Sequence, residues 1–145
     1  MSLQSWLENG WLRQHRTSKK EIADLFRIID RDLKDAAGDI SHDWRFGIAY
    51  NAALKLYMIL IYAEGFRPER TVQHYRTIQA LPIILGDKRK TDAAYLDSCR
   101  SKRNTVEYDS VGAATGDDAR ELIEFVKELK TSVLAWLVEK HPELL

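Results

Sequence analysis

One segment of about twenty residues, Trp44 to Ala63, restricts the possible folds of this chain more than any other. It reads WRFGIAYNAALKLYMILIYA, and its only strongly polar side chains are Arg45, Asn51 and Lys55. The segment lacks the apolar–polar alternation of a half-buried strand and is much longer than a typical strand. We therefore predict a helix that other elements cover on most sides.

The same segment is long enough to span a membrane, since about twenty apolar residues suffice. However, Lys55 lies near its middle, and an unpaired ammonium group in hydrocarbon costs about 2.5 kcal/mol or more. The remaining chain also contains amphipathic patterns that can cover such a helix. A bundle core is the simpler interpretation, and no membrane partner is expected.

Length and composition set broad limits on the class of protein. The 145 residues suit a single domain, 1–145, which needs neither a metal ion nor disulfide bonds to form a core. The 22 basic and 22 acidic residues cancel, so any binding to nucleic acid requires a local patch of charge. The single cysteine, Cys99, excludes an internal disulfide framework. The first residues lack the pattern of a secretory leader, so a cytoplasmic location is expected.

The spacing of apolar residues and capping signals predicts the other helices. Ser18 with Glu21, and Thr115 with Asp118, match the capping box that starts a helix. Short connections between successive helices favour an all-α fold, an up-and-down antiparallel bundle of four long helices plus one or two short helices, with its core in residues 18–140. The predicted helices cover residues 18–38, 41–65, 71–86, 92–108 and 118–140. A loop is predicted at Pro68, and the helix at 71–86 is predicted to kink or end near Ala80, before Pro82.

Residues 3–14 carry apolar side chains at mixed spacing, interrupted by Asn9 and Gly10. We predict a short helix or a broken turn that packs on the bundle as a lid. An Asn-Gly pair also favours a β-hairpin, although the flanking residues do not alternate as strands do. The hairpin remains the alternative.

The segment from Cys99 to Asp109 concentrates polar functional groups on a predicted helix. Helical spacing puts Arg103 on the buried arc that is defined by Tyr95, Leu96, Cys99 and Val106. A guanidinium in such a position needs a partner. Glu107 lies one turn later, but such a pair contributes only about 0.2 to 0.5 kcal/mol. A partner on another helix or subunit, an anionic ligand, or a purely structural network would each explain Arg103.

Two stretches resemble the HEPN domains, named for nucleotide binding in higher eukaryotes and prokaryotes. They are AYNAALKLYMILIYAEGFRPERTVQHYRTIQALPIILG in residues 49–86 and RNTVEYD in residues 103–109. The resemblance covers roughly residues 18–140 and implies a helical bundle that is often dimeric. Many members of the family are metal-independent ribonucleases, whose signature is an arginine, frequently followed by a polar residue, with a histidine four to six positions later.

Arg103 and Asn104 match the first part of that signature, whereas Tyr108 stands where the histidine is expected. The substitution matters because a base of near-neutral pKa helps the ribose 2′-hydroxyl attack the adjacent phosphate. A tyrosine of pKa about 10 suits hydrogen bonding or base stacking better than proton removal. Glu107 is a conceivable replacement base, although its pKa of about 4.3 would have to be raised by burial.

The remaining polar residues give weaker signals. The four histidines, His15, His42, His74 and His141, have no metal-ligand spacing, and each is expected at the surface or at a helix end. His42 or His74 is a candidate for approaching Arg103 in three dimensions. Asn51 and Lys55 either line a shared polar pocket or are ordinary satisfied polar groups of the bundle. No cofactor and no metal site are expected.

These observations lead to one principal hypothesis and two alternatives. The first is a HEPN-like, non-catalytic module that binds RNA or a nucleotide through Arg100, Arg103, Asn104 and Tyr108. It would form a homodimer and act as an adaptor for a nucleotidyltransferase in a toxin–antitoxin or defence setting. The second is a divergent metal-independent ribonuclease with Arg103, Glu107 and Tyr108 as catalytic residues. The third is a structural homodimer without a ligand, in which the polar cluster only fixes helix register.

Overall fold

The computed structural model of the chain describes residues 2–71, 74–105 and 111–145. It confirms the predicted all-α fold, in which four long helices form most of the described chain. In chain order the elements are α1 (Leu3–Glu8), β1 (Leu12–Gln14), α2 (Lys19–Ala36), α3 (His42–Ala63), β2 (Phe66–Pro68), α4 (His74–Ile78), α5 (Ala80–Leu85), α6 (Lys90–Asn104) and α7 (Gly116–Lys140). Short 3-10 turns cover Asp87–Arg89 and Pro142–Leu144.

Helix α3 is the centre of the bundle, as the sequence predicts. It packs most extensively against α2 and α7, and it also contacts α4, α5 and α6. Ala49, Ala52 and Ala53 are fully buried, and their small side chains allow these neighbours to approach closely. By length and composition α3 could cross a membrane, but 61% of its apolar window is buried inside the fold. This burial favours the core helix of a soluble protein.

Helices α2 and α3 are antiparallel neighbours. The Nε of Arg45, near the start of α3, donates to the carbonyl oxygen of Ala36 at the end of α2, at 2.8 Å. At the opposite end of the pair, Tyr62 of α3 and Leu25 of α2 line a common surface pocket. Ser18 caps α2 as predicted, whereas the Glu21 carboxylate accepts hydrogen bonds from neighbouring side chains instead of completing a capping box.

The chain before α2 does form a lid, but one strand of it is unexpected. Strand β1 pairs antiparallel with β2, with Leu12 opposite Pro68, so the prediction of a loop at Pro68 is wrong. Three-residue strands are too short to show alternation, which explains why the sequence pattern missed them. Trp6 and Leu12 are buried in a second apolar cluster with Ile61 of α3. The lid is therefore fixed to the bundle by apolar contacts and by the strand pair.

Beyond β2, the predicted single short helix is split in two. Helix α4 ends at Ile78 and α5 begins at Ala80, close to the predicted break. Pro82 lies in the first turn of α5, where a missing backbone N–H costs little. Gly86 ends α5 with φ at +106°, a conformation that glycine adopts without a Cβ clash. Residues 72 and 73 of the predicted helix lie outside the described residues.

Lys55, the central charge of the apolar segment, has an acidic partner on α2. Its Nζ lies 3.3 Å from Oδ2 of Asp32, and Nη2 of Arg31 lies 3.1 Å from Oδ1 of the same carboxylate. Asp32 is only 7% exposed, so its charge depends on these two cations for compensation. Lys55 is therefore explained by an ion pair within the bundle.

We expect Lys55→Met to lower the free energy of unfolding by about 1 to 3 kcal/mol, because a buried carboxylate loses one of its partners. Adding Asp32→Asn in the Lys55→Met background should recover part of this loss. Lys20→Met is the matched control, since the Lys20–Asp24 pair is exposed and such pairs contribute at most about 1 kcal/mol. Urea denaturation measures all three variants. Equal losses in Lys55→Met and Lys20→Met would contradict the prediction.

Candidate functional site

The predicted site residues on α6 are described only in part. Arg100, Arg103 and Asn104 lie in the last turns of this helix and are half-buried. Glu107 and Tyr108 lie outside the described residues. Because residues three positions apart on a helix are neighbours on its surface, Arg100 and Arg103 present two cations side by side. Of the other residues on the predicted buried arc, Leu96 and Cys99 are buried, Tyr95 is half-buried, and Val106 lies outside the described residues.

Arg100 joins α6 to α4. Its Nε donates to Oδ1 of Asp97, one turn earlier on α6, at 2.8 Å. Its guanidinium carbon lies 5.8 Å from the centre of the Tyr75 ring on α4, within the range of a cation–π contact. Arg100 is thus held between a carboxylate and an aromatic ring, and Asp97 offsets part of its charge.

Arg103 lies against the central helix. Its guanidinium carbon is 5.6 Å from the centre of the Tyr50 ring, which is fully buried on α3. Arg103 itself is half-buried, so its position is less enclosed than the helical arc predicts. The aromatic contact limits where the planar guanidinium can move. The guanidinium is therefore preorganised for binding a planar or tetrahedral anion.

His74, in the first turn of α4, completes this group. Its Nδ1 lies 3.4 Å from the Tyr50 hydroxyl oxygen, at the limit of hydrogen-bonding distance. Loss of water around the ring lowers the pKa of His74 below its ordinary value of 6.5, and the positive charges of Arg103 and Arg100 lower it further. The imidazole is therefore mostly neutral at pH 7. Of the two histidines considered as neighbours of Arg103, His74 shares the contact with Tyr50, whereas His42 lies beside Arg45.

Tyr50 is the buried support of the group. Its burial raises the pKa of its phenol to about 12, although Arg103 and Arg100 both oppose this rise. The phenol is therefore protonated at neutral pH and acts as a hydrogen-bonding group. We call Tyr50, His74, Arg100 and Arg103 the arginine cluster.

Sequence reasoning identified the two arginines of this cluster but not Tyr50. The residue lies inside the apolar segment, where its phenol gives no periodic signal. Asn51, its neighbour in the chain, is half-buried, and Lys55 pairs with Asp32 of α2. The alternative that Lys55 is an ordinary satisfied polar group of the bundle is therefore confirmed.

The other histidines have local partners. Nε2 of His15 lies 2.6 Å from Oε1 of Glu21, and Nδ1 of His42 lies 3.3 Å from Nη1 of Arg45. His141, at the end of α7, lies 3.6 Å from a carboxylate oxygen of Glu64. Each is explained by its position at a helix end or beside one, as predicted from the sequence.

The chemistry available to the described residues is that of anion binding and proton transfer. Within residues 2–71, 74–105 and 111–145, no group of three His, Cys, Asp or Glu side chains is arranged to hold a metal ion. Burial raises the pKa of the Cys99 thiol to about 11, so this cysteine is a poor nucleophile at neutral pH. The arginine cluster combines two cations with a neutral imidazole.

Comparisons with known proteins add no information on the function of this chain. A scan against protein-family models, a search of curated proteins and a search of solved structures each find no match to the chain. The resemblance to HEPN domains therefore stays a hypothesis.

Proposed function

We propose that this protein binds single-stranded RNA and holds a phosphate group of the backbone at the arginine cluster. The observation that carries the proposal is the pairing of Arg100 and Arg103 on one face of α6, each against a tyrosine ring. Guanidinium groups bind phosphate through parallel N–H bonds, and an aromatic contact reduces the entropy lost on binding. The HEPN resemblance supports the same class of ligand.

The local charge also agrees with this ligand. The chain as a whole is neutral, so attraction to a polyanion has to come from a patch such as the arginine cluster. His74 contacts Tyr50, the ring against which Arg103 lies, and the charges of both arginines help to lower its pKa. It therefore adds an uncharged hydrogen-bonding group at neutral pH. Asn104 follows Arg103 at the end of α6 and is available as a further polar contact.

The proposal includes a biological setting that rests on the HEPN resemblance alone. In this setting the protein is a cytoplasmic homodimer that binds RNA or a nucleotide and works beside a nucleotidyltransferase, as an adaptor in a toxin–antitoxin or defence system.

The test is the affinity for a fluorescently labelled, mixed-sequence RNA of about ten nucleotides, measured by anisotropy over a series of salt concentrations. We expect Arg103→Ala to weaken binding about tenfold and to reduce the salt slope by about one, because one phosphate contact is lost. Arg120→Ala is the matched control, since Arg120 is exposed on α7 and pairs with Asp117. Equal affinities for Arg103→Ala and the wild type would refute the proposal.

A second candidate function, a metal-independent ribonuclease, is favoured by the position of His74. The family signature lacks its histidine in this chain, but His74 of α4 contacts Tyr50, the ring against which Arg103 lies. A neutral imidazole is a competent general base at neutral pH, and the arginines could stabilise the charge that develops on the phosphate. In this candidate His74 takes the catalytic role that the sequence suggests for Glu107 or Tyr108.

A further inference from the structure

A second surface feature lies next to the arginine cluster. It is a cavity of about 490 Å³ between the N-terminal lid and the α4–α5 region. We call it the Trp11 cavity, and the lining side chains that matter here are Trp11, Tyr75, Arg76, Asp87 and Lys90. Its volume lies within the range of about 300 to 1,000 Å³ that is typical of small-molecule sites.

The wall of this cavity contains a stacked pair. The guanidinium carbon of Arg76 lies 3.8 Å from the centre of the Trp11 ring, which is the shortest of the described cation–π contacts. Arg76 comes from α4, whereas Trp11 comes from the lid, so the contact depends on the docking of the lid. Nucleobases stack on both aromatic rings and guanidinium planes. The pair therefore offers a suitable surface for a base.

The charges around the cavity are compatible with a phosphate beside that base. Arg76 and Lys90 are both cationic and line the cavity. Asp87 lies 3.9 Å from Lys90 and offsets one of these charges, which leaves the described lining with an excess of positive charge. This excess of positive charge disfavours a cationic ligand.

Tyr75 connects the cavity to the arginine cluster. It lines the Trp11 cavity, and its ring also lies 5.8 Å from the guanidinium carbon of Arg100. The side chain is 45% exposed, although it is a large aromatic group. Two sites that share an exposed aromatic residue can be occupied by neighbouring nucleotides of one strand.

We propose that the Trp11 cavity binds a base of single-stranded RNA while the adjacent backbone phosphate lies on the arginine cluster. This inference rests on the proposed function, and it adds that recognition involves base stacking as well as phosphate charge. Arg76 supplies the stacking surface, Trp11 holds that surface in place, and Tyr75 lies between the two sites. The ligand is thereby defined as an oligonucleotide with at least one unpaired base.

The experiment compares two probes of equal length, an oligouridylate of about ten nucleotides and an abasic ribose–phosphate chain. We expect the wild type to bind the oligouridylate roughly 5- to 100-fold more tightly, which is the usual range for stacking of one base. Arg76→Lys keeps the charge but removes the guanidinium plane. We expect this variant to lose most of the preference for oligouridylate while its affinity for the abasic chain stays unchanged.

Two further variants separate the inference from the proposed function. Arg103→Ala should weaken both probes by a similar factor, because it removes a phosphate contact, and Arg27→Lys, an exposed substitution on α2, should change neither. If Arg76→Lys keeps the full preference for oligouridylate while Arg103→Ala weakens binding, the base site is refuted and RNA binding stands. If the wild type binds neither probe, both proposals fail. Circular dichroism checks that each variant is folded.

Discussion

Replacing Leu56 with alanine lowers the free energy of unfolding by about 2 to 5 kcal/mol. Leu56 is fully buried on α3, the helix that contacts α2, α6 and α7, so its removal leaves a cavity where several helices meet. The total stability of a domain of this kind is about 5 to 15 kcal/mol, and the loss is therefore a large part of it. Urea denaturation followed by circular dichroism measures the change.

The control for this prediction is Val138→Ala on α7. Val138 is 61% exposed, and a surface change of this kind usually alters stability by no more than about 0.5 kcal/mol. The two variants together test whether α3 is the core of the fold. A Leu56→Ala protein as stable as Val138→Ala would mean that α3 is not enclosed as described.

If the protein is a ribonuclease, His74→Ala reduces the rate of RNA cleavage in excess EDTA by about 100- to 10,000-fold. The physical reason is that the imidazole contacts Tyr50, the ring against which Arg103 lies, and is neutral and able to accept a proton at pH 7. His74→Gln keeps a hydrogen-bonding side chain but does not titrate, and it should be equally inactive. His42→Ala is the matched control, because His42 lies beside Arg45 at the start of α3.

The pH profile distinguishes a base from a merely structural histidine. A general base acts in its neutral form, so the rate falls as the pH falls through the pKa of His74, which the surroundings lower below 6.5. The charge of Arg103 helps to lower the pKa of His74, so a variant such as Arg103→Gln should raise that pKa. The acidic limb of the pH–rate profile, measured on the residual activity, should then move toward higher pH. If the wild type leaves RNA intact in EDTA, the ribonuclease candidate is dropped and the binding function is unaffected.

Some residues of the candidate site can be predicted from the sequence, and others cannot. Arg100 and Arg103 are recognisable from helical spacing alone, because the repeat of α6 is a local property. Tyr50 and His74 are not, since they come from α3 and α4 and reach the arginines only when those helices pack together. The histidine that is missing at Tyr108 indicates a defect in the site, whereas the fold brings His74 into contact with Tyr50, the ring against which Arg103 lies.

The sequence by itself determined the helical bundle, because periodic apolar residues and capping signals act over a few residues within each helix. It also identified the central helix and the break near Ala80. Tertiary structure alone decided the pairing of β1 with β2, the ion pair between Lys55 and Asp32, and the meeting of Arg103 with His74 and Tyr50. These contacts join segments that are distant in sequence, and their geometry depends on how the helices pack, a property that local patterns do not encode.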